Sequence, residues 1–153
     1  MALEIEHKYL VVTDDYLALC DPAKTRRITQ GYLSRVPERT VRVRITEMAD
    51  GSVAAFLTVK GRNAGDTRLE FEYAIPADDA RHLLTLCEGH LIIKTRYIVP
   101  YAGHTWEVDI FEGAHSGLQV AEIELPQSTH NYPLPPFAGP EVTGNPRYYN
   151  SAL

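Results

Sequence analysis

Along most of this chain, polar and apolar residues alternate one by one. At the start, Glu4, Glu6 and Lys8 are separated by Ile5 and His7. Side chains two apart on an extended strand share a face, so this spacing predicts a strand over 2–12 with two carboxylates and an ammonium on one side. The same period recurs down the chain. Arg42 and Arg44 alternate with Val41, Val43 and Ile45, and Lys60 closes the run FLTVK. Arg68, Glu70 and Glu72 alternate with Leu69, Phe71 and Tyr73; Lys94 and Arg96 alternate with Ile93, Thr95 and Tyr97. Glu107 and Asp109 sit among Trp106, Val108 and Ile110, and Glu122 and Glu124 among Ala121, Ile123 and Leu125. Strands are expected at 27–35, 40–47, 53–60, 67–75, 91–99, 104–111 and 118–125. Ala49-Asp50-Gly51 is a hairpin turn, and Gly61 to Asp66 a longer loop of the same kind.

Helical spacing is confined to two stretches. One is short, over 14–20, with Thr13 as its N-cap. The other runs from Asp78 to Glu88, with Leu83, Leu84, Leu86 and Cys87 as its apolar face and Gly89 at its end. From Pro126 to Arg147 the chain is Pro-rich and irregular. Evenly spaced strands with few helices point to an antiparallel, barrel-like sheet.

Taken one strand at a time, the charged face reads as a solvated surface. Taken together, the charged positions are almost purely Glu, Asp, Arg and Lys, and the alternate positions are strongly apolar and need cover. A closed barrel with an apolar outside, partly wrapped by helices, turns the charges inward. Carboxylates about 5 Å apart repel and hold protons unless a divalent cation sits among them. Clustered carboxylate oxygens suit Mg²⁺ or Mn²⁺, and the Arg and Lys cluster suits a polyanion, phosphate above all. Together they are the equipment of phosphoryl transfer.

Composition narrows the rest. The 153 residues, 44% hydrophobic and 23% charged, suit one globular domain, 1–153. The formal net charge of −5 argues against long nucleic acid as a partner. No apolar run is long enough to span a bilayer, and Glu4 and Glu6 stand where a signal peptide would be basic and then apolar. Cys20 and Cys87 make no disulfide framework and are expected as buried thiols in a reducing, cytoplasmic compartment. His7, His104 and His115 fall out of phase with the charged face or in loops and receive no role. GRNAG lacks the Lys-Ser/Thr and helix of a phosphate loop.

Glu4-x-Glu6-x-Lys8 resembles the ExExK signature of the CYTH, or triphosphate tunnel metalloenzyme, superfamily. In the order expected of that family follow QGYL (30–33), Arg42-x-Arg44, Lys60, RLEFE, KTRY (94–97), EVDIF (107–111), EIEL (122–125) and a closing EVTGNPRYYNSAL like that of short bacterial members. The resemblance covers most of the chain and implies an eight-stranded antiparallel closed barrel, mainly β with a few outer helices. It implies that Glu4, Glu6, Glu122 and Glu124 hold the principal metal, with Asp109 and Glu72 helping a second. Lys8, Arg42, Arg44, Lys60, Lys94 and Arg96 would grip a triphosphate, with Arg68 and Arg147 as further candidates and Tyr32 orienting phosphate or water. Lys94, crowded by arginines, would also serve the chemistry as an acceptor for the proton of the attacking water. PQSTHNYPLPPFAG departs from relatives that carry a helix there. The activity implied is metal-dependent hydrolysis of linear triphosphate, inorganic tripolyphosphate first, using one or two Mg²⁺ or Mn²⁺ ions. Alternatives are thiamine-triphosphatase, nucleoside triphosphatase or class IV-type adenylate cyclase, and, outside enzymes, a polyphosphate-binding module. Neither nucleic acid nor membrane is expected as a partner, and a homodimer is left open.

Overall fold

The computed structural model describes residues 3–153. Its strands are β1 (Leu3–Val11), β2 (Arg26–Ser34), β3 (Arg39–Met48), β4 (Val53–Gly61), β5 (Thr67–Ile75), β6 (Glu88–Tyr101), β7 (His104–Phe111), β8 (Gln119–Glu124) and β9 (Ala138–Glu141). The first eight close into an antiparallel barrel in the order β5-β4-β3-β2-β6-β7-β8-β1, with β1 returning to β5. In that ring β1 lies four strands from β2 by either route, so β1 and β8 face β2 and β3 across the interior.

Closure depends on the two edges of β1. One edge pairs with β8, from Glu6 opposite Glu124 to Leu10 opposite Val120. The other edge is shared: Leu3 to Ile5 pair with β5, and Tyr9 and Val11 with β9. Between them, the Glu6 N–H donates to the Asp66 carbonyl at 3.2 Å and the Lys8 N–H to Thr143 Oγ1 at 2.9 Å, and the Lys8 carbonyl accepts from the Val142 N–H at 2.8 Å, so loop groups take over where strand pairing lapses.

The apolar phase points outward and is mostly covered. Helix α2 (Ala77–Leu84) lays Ala80, Leu83 and Leu84 over Val43, Ile45 and Ala55. Asp78 and Asp79 in its first turn favour the positive helix end. The larger cover is not helical. Tyr16 from helix α1 (Tyr16–Leu19) and Phe137 from the Pro-rich segment seal Tyr9, Val99, Trp106, Val108, Ala121 and Ile123 on β1, β6, β7 and β8. Leu69, Phe71 and Tyr73 on β5 remain 41, 41 and 58% exposed, so there the expectation of a covered apolar face fails. Inside, the phase that carries charge turns apolar at one end, where Tyr32, Ile92, Phe111 and Val120 pack together against Leu10 and Leu153.

Several boundaries differ from the sequence reading. Residue 2, the expected start of the first strand, lies outside the described residues. Helix α1 has four residues and its N-cap is Asp15; Thr13 instead accepts from the Asp15 N–H at 3.4 Å. Helix α2 stops at Leu84, where Thr85 Oγ1 donates to the His82 carbonyl at 2.6 Å. Glu88 and Gly89 belong to β6, because Glu88 pairs with Tyr32 of β2. The expected irregular segment contains β9, whose partner is the half of β1 that β5 leaves free. Both cysteines are half-buried rather than buried, and both are free. No helix among the described residues is long and apolar enough to cross a membrane.

Gly31 shows how closely the chain after α2 sits on the barrel. A Cβ there would lie 2.8 Å from Leu91 Cδ2 and 2.9 Å from both Cβ and Sγ of Cys87. Gly31→Ala is therefore expected to destabilise the fold by about 1–3 kcal/mol, as overpacking does. Chemical denaturation checks it; an unchanged midpoint would show that Cys87 and Leu91 move aside at no cost.

Candidate active site

The inward residues line a cavity of about 470 Å³. On one wall, Glu4, Glu6 and Glu124 each bring a carboxylate oxygen within 4.8 Å of the others. The register places Glu6 directly opposite Glu124. Glu4 is compensated: Lys60 Nζ donates to its two oxygens at 2.8 and 3.0 Å, and Arg68 Nε lies 3.6 Å away. Burial pushes the Glu4 carboxyl up, but Lys60 outweighs it and holds the group below its ordinary value. Glu6 and Glu124 have no ion-pair partner among the described residues. Burial, then the charges of Glu122 and Glu4, holds the Glu6 carboxyl well above the usual range. Glu124 is the exposed member of the three; partial desolvation, then Glu4, Glu107 and Glu70, pushes it up to about 7. Hard oxygen donors short of a counter-cation, at this spacing, fit a divalent metal.

Across the cavity the imbalance is reversed. Arg44 Nε donates to Gln30 Oε1 at 2.8 Å, and no carboxylate pairs with it among the described residues. Burial, then Arg42 and Arg96, pulls Arg44 down to about 9. Arg42 Nη2 reaches Thr58 Oγ1 at 3.2 Å and Glu72 at 3.5 Å, while its Nε is buried without a partner. A buried guanidinium with an unused N–H is costly unless an anion meets it. Phosphate oxygens match that fork.

Between the poles lies a buried ion cluster. Lys94 and Asp109 are each 1% exposed, with Nζ and Oδ2 2.7 Å apart. Arg96, directly opposite Asp109 on the neighbouring strand, grips both its oxygens at 2.8 and 2.9 Å and reaches Glu107 at 3.1 Å. Burial pushes Asp109 up, but Arg96 and Lys94 hold it far below the usual carboxylate range. Burial pulls Lys94 down to about 7, with Arg96 and Arg44 reinforcing it against Asp109.

Most of the sequence candidates therefore face one space: Glu4, Glu6, Glu122, Glu124, Glu72, Lys8, Tyr32, Arg42, Arg44, Lys60, Arg68, Lys94 and Arg96 all line the cavity. Their partners sort them further. Glu122 stands outside the three-carboxylate cluster, 3.6 Å from Lys8 Nζ; burial pushes it up, but Lys8, a hydrogen bond with Glu6 and the charge of Arg96 together hold it down at about 2. Asp109 serves Lys94 and Arg96, and Glu72 accepts from Thr58 Oγ1 at 3.0 Å, so the two are not brought together as a second metal site. The guanidinium fork of Arg96 is occupied by Asp109. Arg147 is exposed and away from the cavity wall. The wall also holds Arg26, Glu70, Glu107, Asp66, Thr143, Tyr149 and Asn150, and Gln30 is fully buried behind it. Glu70 and Glu107 already stood in the inward phase of the sequence. Arg26 lay one residue before the expected strand start, and nothing in the period marks Tyr149 or Asn150.

Residues 2–149 match the CYTH domain family. The chain belongs to that family. It is 44% identical to an inorganic triphosphatase of Acetivibrio thermocellus over 100% of this chain and 94% of the relative. It is 32% identical to one from Nitrosomonas europaea over 98% and 95%. The solved structure of the inorganic triphosphatase NE1496 superposes with a TM-score of 0.65 at 31% identity, covering 97% of this chain and 95% of that one.

The carboxylate wall of this CYTH barrel sets a pH dependence. Glu6 and Glu124 bind protons more tightly folded than unfolded, so their protonation stabilises the fold and that contribution is lost as pH rises. For Glu124 the window runs from its ordinary value of 4.5 to about 7. The metal-free protein should melt at a falling temperature between about pH 5 and 7, and Glu124→Gln should flatten the slope. A melting temperature that rises through this window, or a slope untouched by the substitution, contradicts the assignment.

Proposed function

We propose that this protein is a metal-dependent inorganic triphosphatase that cleaves tripolyphosphate to pyrophosphate and phosphate. The carrying observation is the pair of opposed, uncompensated poles: Glu6 and Glu124 on one wall, Arg44 and the free Arg42 Nε on the other. A metal–polyphosphate complex supplies a cation to the first and anions to the second at once. The apolar lining of the cavity is small, Ile28, Ala54, Phe56 and Val142, which favours an inorganic chain over one carrying a base or a thiamine.

In this reading Glu4, Glu6 and Glu124 hold Mg²⁺ or Mn²⁺, which when bound neutralises phosphate oxygens and helps orient the chain. Arg42, Arg44, Arg68, Lys60 and Lys8 receive the remaining phosphate oxygens. Lys94 has a proton affinity near neutrality and accepts the proton of the attacking water as its oxygen bonds to the terminal phosphorus. The P–O bond to the bridging oxygen breaks, and pyrophosphate leaves with the electron pair. Tyr32, on the same wall, helps fix that water or phosphate. Asp109 and Arg96 keep Lys94 in place.

Phosphate release should be fastest from tripolyphosphate among tripolyphosphate, ATP, thiamine triphosphate and pyrophosphate, should vanish in chelator and should return with Mg²⁺ or Mn²⁺. Lys94→Ala should lower kcat by about 10²-fold or more and change KM less, as loss of a proton acceptor does. Full turnover in chelator, or a wild-type kcat in Lys94→Ala, overturns the mechanism; tight tripolyphosphate binding without any turnover leaves a binding module.

A further inference from the structure

Lys94 is held from two sides. Opposite Asp109, the Asn150 Oδ1 accepts from Lys94 Nζ at 3.0 Å. The same oxygen accepts from Gln30 Nε2 at 3.1 Å. The orientation of both amides follows from their partners. Arg44 Nε can only donate, so the Gln30 atom 2.8 Å from it is the oxygen. Gln30 must then present its nitrogen to Asn150, which fixes the shared Asn150 atom as the oxygen. The Asn150 Nδ2 is left without a partner among the described residues, on a side chain that lines the cavity.

The backbone beneath Asn150 is anchored on both sides. Lys8 Nζ donates to the Tyr148 carbonyl at 3.1 Å. Arg35 Nη1 donates to the carbonyls of Ser151 and Leu153 at 2.8 and 2.9 Å, with the rest of its guanidinium on Glu88 and His90. Asn150 is thus held between two anchored backbone groups, although it lies in a short 3-10 turn, Asn150–Ala152.

We propose that Asn150 is a positioning residue of the reaction: its oxygen aims the Lys94 amine at the attacking water, and its amide hydrogens meet an oxygen of the bound polyphosphate. The proposal rests on the reading of Lys94 as proton acceptor. A neutral amide suits both tasks. It directs the amine without adding a second carboxylate beside Asp109, and it donates to an anion without adding to the crowd of Arg42, Arg44 and Arg96.

Steady-state kinetics on tripolyphosphate with Mg²⁺ or Mn²⁺, in a double-mutant cycle with Lys94→Ala, tests it. Asn150→Ala should lower kcat by about tenfold or more, as misplacement of a reacting group does, with KM within about threefold. In the Lys94→Ala background the same substitution should change kcat by less than about twofold, because no amine remains to aim. Asn150→Asp keeps the shared acceptor but turns an anionic oxygen toward the polyphosphate, so KM should rise by about tenfold or more. Equal losses in both backgrounds mark a purely structural role and overturn the proposal, as does an unchanged KM in Asn150→Asp. Should Asn150→Ala fail to fold, the KM of Asn150→Asp decides. A wild-type kcat in Lys94→Ala alone overturns the proton-acceptor reading and with it the aiming role, while the KM of Asn150→Asp still judges the contact with polyphosphate.

Discussion

The ion pair of Lys94 and Asp109, 2.7 Å apart and shut off from solvent, is the constraint around which the interior is arranged. Taking each charge out of water costs several kcal/mol, which a single contact does not return. The offset comes from the neighbours. Arg96 adds two further cation contacts to Asp109, Glu107 answers Arg96, and the amides of Asn150 and Gln30 link Lys94 to Arg44. An outer sleeve of Val99, Trp106, Val108 and Ala121 keeps the strands that carry the pair in register. Burial also leaves Lys94 with a loosely held proton, so the feature that is expensive to fold is the one that suits it to proton transfer.

Charge in the tunnel divides into pairs that are closed and groups that are open. Lys60 with Glu4, Lys8 with Glu122 and Arg96 with Asp109 are closed. Glu6, Glu124 and Arg44 are open, and they lie on facing walls. The strand that carries much of the acidic wall, β1, is also the one that closes the barrel. His7, on its outer side, binds Asp66 through Nε2 at 2.8 Å and Tyr132 through Nδ1 at 2.5 Å. This out-of-phase histidine thereby ties β1 to the loop and the Pro-rich cover on either side of it.

The period of two was enough to read the strands and which residues face inward, because alternation is a local property and a closed sheet leaves charge only one place to gather. What it did not carry was register. That Arg96 stands opposite Asp109, which commits Asp109 to Arg96 and Lys94 and fills the fork of Arg96, depends on how two strands slide past each other. The same limit explains β9: Ala138-Gly139-Pro140-Glu141 has no strand signature of its own and is extended because β1 offers it a free edge. The 78–88 helix was overrun because Leu86 and Cys87 continue a helical face, while pairing of Glu88 with Tyr32 pulls the chain into β6. Asn150 was invisible because a turn residue placed by Arg35 and Lys8 leaves no periodic mark.

The most direct measurement is diffraction at the manganese absorption edge from crystals soaked with Mn²⁺ and tripolyphosphate. The account predicts an anomalous peak bounded by Glu4, Glu6 and Glu124, with phosphate density running from it toward Arg42 and Arg44. Manganese bound outside that cluster, or phosphate on the outer face of the barrel, would contradict it.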